Sequence, residues 1–123
     1  MDLEKALKGM ESAKVALRSR KGILSPTYMS EHMDRLAAYA SAVEDHLAQL
    51  EMDLEYQERA AYIKALIQPK ATPSSSEKVA KYDVAELKGQ IKRLSRLVGS
   101  AWRLVGEKQS RFNHLEKEAR GQV

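Results

Sequence analysis

The stretch VAELKGQIKRLSRLVGSAWRLVGEKQSRFNHLEKEA, residues 84–119, decides the fold class of this chain. Alternate steps of three and four pick out Val84, Leu87, Ile91, Leu94, Val98, Ala101, Val105, Lys108, Phe112, Leu115 and Ala119. All but Lys108 are apolar. A 3-4 spacing held for five heptads is the signature of a helix that buries one narrow seam against another long helix.

A second seam lies upstream, at Met33, Leu36, Ala40, Val43, Leu47, Leu50 and Leu54. Ser25-Pro26 starts that helix, because serine can cap and proline at the first helical position loses no hydrogen bond. Beyond Leu54 the stripe weakens at Gln57 and drifts to Tyr56, Ala60, Ile63 and Ile67. Such a drift predicts a local change of packing or a second contact surface. Residues 68–76 (QPKATPSSS) form the break between the two long helices, and Ser74 with Glu77 has the spacing of a capping box. Asp83 with Glu86 repeats that spacing, which allows the regular helix to begin later.

At the N-terminus Asp2 can cap a first helix that carries Leu3, Leu7, Met10, Ala13 (or Lys14) and Leu17 on one side, with Gly22 as its stop. The expected organisation is therefore a single all-α domain, 1–123, with helices at 2–21, 26–67 and 77–120, a turn at 68–76, and fraying from Arg120 to Val123. Two matching seams and a short connection predict a long antiparallel, coiled-coil-like hairpin with a short N-terminal helix. Two registers fit the seams. One sets Leu50 against Ile91 and Leu47 against Leu94; the other sets Leu50 against Val98 and Leu54 against Leu94. Leu97 and Leu104 widen the C-terminal seam, as Tyr39 does for the second helix, and this surplus apolar edge predicts homo-oligomers. The core and oligomer seam is expected at Leu47, Leu50, Leu54, Ile91, Leu94, Leu97, Val98 and Leu104.

Composition fits an elongated helical protein: 31% charged residues, 6% aromatics and no cysteine in 123 residues. Neither disulfides nor thiolate metal sites are open to it. The first residues lack an apolar targeting core, and no run reaches transmembrane length, so a cytoplasmic protein without a membrane partner is expected. Residues 3–21 have too thin an apolar stripe for a membrane-surface helix and are expected to pack on the hairpin.

The formal net charge of +4 is unevenly spread. Residues 26–67 hold three basic and eight acidic side chains, whereas residues 77–123 hold eleven and six. One reading makes attraction between the two long helices the whole explanation. From Lys88 to Arg111, however, seven cations stand against Glu107 alone. On the heptad frame Lys92, Arg93, Arg96 and Arg103 face away from the seam, where they can follow phosphates. Lys14, Arg18, Arg20 and Lys21 add charge from the first helix. Trp102 either stacks on an unpaired base or packs at an edge between subunits. Gly99 and Gly106, one heptad apart in a helix that glycine weakens, predict a close approach by another helix.

Catalytic patterns are missing. His32 and His46 lie two heptads apart, about 21 Å along a helix, and cannot share a metal. His114 and Glu118 have the spacing of a surface pair. Gly99 to Lys108 has six residues between its glycines where a phosphate-binding loop has four, and it lies inside the strongest helix. No cofactor or catalytic residue is expected, and the chain reads as a non-enzyme.

In layout the chain resembles the small phage recombination mediators of the UvsY type, with an N-terminal helical segment, a longer polar helix, a short break and a C-terminal helix mixing small and apolar residues. Leu97-Val98-Gly99-Ser100-Ala101, then Lys108, Arg111, Phe112, His114, Leu115 and Ala119, carry the resemblance. It implies a ring-like homo-oligomer in the host cytoplasm that binds single-stranded DNA and helps load a recombinase onto strands covered by single-strand-binding protein. The acidic second helix departs from that pattern. The alternative is a protein-protein adaptor or scaffold whose charges serve only helix pairing and solubility.

Overall fold

The structure is a computed structural model that describes residues 1–121. Among these residues there are five helices and no strand: α1 (Leu3–Arg18), α2 (Arg20–Leu24), α3 (Pro26–Leu66), α4 (Pro73–Asp83) and α5 (Ala85–Ala119). The expected all-α class is observed. Of the fraying expected at Arg120–Val123, Gln122 and Val123 lie outside the described residues. Arg120 and Gly121 close α5 with a turn in which Gly121 takes a φ of 68°.

Several helix boundaries differ from the sequence reading, each for a local reason. The first helix was expected to run from 2 to 21, but it breaks at Ser19. The Ser19 hydroxyl donates to the Ala16 carbonyl at 2.6 Å and accepts from Gly22 N at 3.2 Å, so one side chain ends α1 and caps α2. Gly22 is not the stop. It is buried inside α2, where a Cβ would collide with the Ala16 and Leu17 carbonyl oxygens.

The Ser25-Pro26 start is observed, with Ser25 Oγ accepting from Tyr28 N at 3.4 Å. The third expected helix, 77–120, is two helices. Thr72, not Ser74, is the cap: its hydroxyl accepts from Ser75 N, and Thr72 N donates back to Ser75 Oγ. Pro73 decides this, because it holds Thr72 extended and sits ready-made at the first helical position. A break then falls at Val84, where the Asp83–Glu86 spacing allowed one.

The chain divides into two compact units, and α3 and α5 contribute to both. The first unit comprises Met1–Asp45 and Arg96–Val123. Its core holds Ala6, Met10, Ala13 and Leu17 from α1, Met29, Met33, Leu36, Ala40 and Val43 from α3, and Val98, Ala101 and Leu104 from α5. The spacing of the α3 set, alternating four and three, extends the expected seam one turn towards Pro26. In α1 the buried face turns onto Ala6, leaving Leu3 and Leu7 half-buried. Gly9 makes room for the Tyr39 ring, which a Cβ would strike. Tyr39 therefore meets α1.

The second unit is His46–Ser95. It buries Ala80, Val84 and Leu94, with Leu47, Leu50, Leu54, Leu87 and Ile91 half-buried. Here α4 lies along the Glu58, Ala61, Tyr62 and Ala65 side of α3. Lys88 of α5 meets Glu58 at 3.6 Å.

Candidate nucleic-acid interface

In the first unit, the exposed side of α5 is set by helical phase. Val98, Ala101 and Leu104 point into the core, which turns Arg96 and Arg103 outward, seven residues and about 10 Å apart. The end of α1 comes alongside. Arg18 with Ser100, Arg103, Leu104, Glu107 and Lys108 lines an open groove of about 250 Å³. Three cations thus converge with a single carboxylate. Among the described residues none of Arg18, Arg96, Arg103 or Lys108 enters an ion pair.

Unpaired cations around a concave surface leave their charge for a mobile anion. Three positive centres within one groove fit successive phosphates better than a lone carboxylate ligand. Lys14, one turn before Arg18 on the same α1 face, is only 4% exposed.

The expected contact residues are not all gathered here. Lys92 and Arg93 are exposed as foreseen but belong to the second unit, whereas Arg96, Trp102 and Arg103 belong to the first. The Trp102 indole N–H donates to Glu44 of α3, so its polar edge serves packing while part of the ring stays exposed. Gly99 and Gly106 do not support the expected close helix approach: a Cβ on either would meet open space.

The surplus edge is also redistributed. Leu104 is buried in the first unit and Leu97 is exposed. Lys108, which interrupts an apolar seam, and Arg18, one basic residue among several on the first helix, are the groove residues the sequence reading did not single out. The seam interruption at Lys108 was the available signal.

Among the described residues no group of three His, Asp or Glu side chains is placed to hold a metal. His114 pairs with Glu118 at 2.9 Å, as its spacing predicts. Among the described residues no helix is long and apolar enough to cross a membrane. No family model, curated protein or solved structure matches the chain.

Proposed function

We propose that this chain is a non-enzymatic, oligomeric helical accessory protein that binds single-stranded nucleic acid or a nucleoprotein filament, in the manner of the recombination mediators it resembles. The observation that carries this reading is the convergence of Arg18, Arg103 and Lys108 on one groove, none of them in an ion pair among the described residues. Arg96 continues the charge along α5, and Lys92 and Arg93 carry exposed positive charge in the second unit. The phosphate backbone is the ligand such a surface recognises, and repetition in an oligomer multiplies a modest single-site affinity.

The same reading takes the paired stretches of α3 and α5 as antiparallel within each unit. In the first, Glu44 meets Trp102, while Pro26 and Thr27 share a hollow with Phe112 and Glu116. In the second, the Glu58–Lys88 pair lies nearer the register that sets Leu54 against Leu94 than the one that sets Leu47 there.

The adaptor reading has one observation in its favour: Glu44 and Glu58, both on the acidic helix, are spent on α5 partners. The test is binding to labelled oligo-dT at low salt. The nucleic-acid reading expects binding that Arg96→Glu with Arg103→Glu removes while helicity by circular dichroism is kept. Absence of binding by the wild-type chain at low salt leaves the adaptor.

A further inference from the structure

The second unit holds a hollow of about 440 Å³ where the end of α3, the connecting turn and the start of α4 meet. That size falls within the range of small-molecule sites, about 300–1,000 Å³. Spacing explains why it forms. Ala61, Ala65 and Gln68 recur at steps of four and three on one side of α3, and Ser76, Val79 and Asp83 recur likewise on α4. Small side chains on both helices leave the space between them unfilled, and Pro69 and Ala71 close it at the turn. Its walls are therefore mostly apolar.

One polar group stands out in that lining. Ser76 is 1% exposed, and its hydroxyl has no hydrogen-bond partner among the described residues. A serine inside a helix ordinarily bonds to the carbonyl four residues back. Here that carbonyl, of Thr72, already accepts from Ser76 N at 2.9 Å and from Ser75 Oγ at 3.1 Å. A carbonyl oxygen has two lone pairs, so the cap that starts α4 uses up the local acceptor. A buried hydroxyl without a partner is destabilising, and a ligand that bonds to it recovers that loss.

The charges around the hollow define the other end of the ligand. Lys64 and Lys70 line it and, among the described residues, enter no ion pair. Asp83, two turns beyond Ser76 along α4, repels an anion from the far end and directs negative charge towards the turn. Backbone donors suited to a phosphate are already engaged. Pro73 has no N–H, and the Ser75 and Ser76 N–H groups both bond to Thr72. We infer that this hollow binds a small amphipathic carboxylate. Its charge rests on Lys64 and Lys70, its flat apolar body lies against Ala61, Ala65 and Val79, and a hydroxyl on that body bonds to Ser76. The site lies wholly within the second unit and is independent of nucleic-acid binding.

The test titrates 6-hydroxy-2-naphthoate into the full chain and follows the backbone amides by NMR. Shift changes are expected to centre on residues 61–83, with a dissociation constant of about 1 mM or tighter. 2-Naphthoate, which lacks the hydroxyl, is expected to bind about fivefold more weakly, and Ser76→Ala to erase that difference. Lys64→Gln with Lys70→Gln is expected to weaken both carboxylates about fivefold and to leave uncharged 2-naphthol unaffected. Val79→Trp fills the hollow from a position 46% exposed, so helicity is expected to persist while probe binding is lost. Absent shifts, or shifts centred elsewhere, overturn the site, as does a helical Val79→Trp that binds the probe like wild type. Inorganic phosphate that moves the same amides as strongly overturns the amphipathic ligand. A preference for the hydroxylated probe that survives Ser76→Ala overturns the contact with Ser76.

Discussion

Arg103→Ala is the most informative single change, because Arg103 belongs both to the groove and to the outward face of α5. Four first-unit cations, Arg18, Arg96, Arg103 and Lys108, enter no ion pair among the described residues. If each neutralises one phosphate, the affinity for a single strand falls with salt at a log-log slope of about 4 × 0.7, or 2.8. Raising salt fourfold, from about 50 to 200 mM, then weakens binding by about 50-fold. Removing Arg103 lowers the slope to about 2.1 and the same salt step costs about 18-fold.

Fluorescence anisotropy of labelled oligo-dT at several salt concentrations measures both slopes. Arg35→Ala is the control, since Arg35 is already held by Glu31 at 2.6 Å and lies outside the groove. An unchanged slope in Arg103→Ala, or an equal drop in Arg35→Ala, refutes the assignment of phosphate contact to this groove.

Three further outcomes test the packing that positions the site. Lys108→Leu restores the apolar seam at a half-buried position: it is expected to raise stability by about 1 kcal/mol, roughly 4 °C in melting temperature, while weakening oligo-dT binding. Loss of both stability and binding argues that Lys108 has a packing role of its own. Gly22→Ala drives a methyl against the Ala16 and Leu17 carbonyls and is expected to cost about 1–3 kcal/mol in urea unfolding; a neutral result shows that α2 shifts freely on α1. Leu36→Ala empties a fully buried position of the first unit and is expected to cost about 2–5 kcal/mol by thermal unfolding, whereas a cost below that range indicates that the site collapses around the void.

The His114–Glu118 pair, the Ser25-Pro26 start and the break near Asp83 were all legible in the chain because each depends on residues within one helical turn. The same locality explains two misreadings. Ser19 both ends one helix and starts another, and a serine in a helical pattern carries no mark of that double role until its hydroxyl is seen to bond in both directions. Gly22 was assigned a stop signal because glycine usually marks one, yet its function is to let two backbones meet, and that pairing is invisible along the sequence.

Heptad spacing by itself determined that the chain is helical, where its apolar seams run and which cations turn outward, because period and phase are properties of one helix. Tertiary structure decided how those faces are used. It brought Arg18 beside Arg103 and Lys108, tied Trp102 to Glu44, buried Leu104 and left Met52, Tyr56, Ile63 and Ile67 uncovered. Each of these depends on which helices become neighbours, and α1 reaches α5 across eighty residues of intervening chain. Periodicity sets what each helix offers on its faces; only packing selects which offer is taken up.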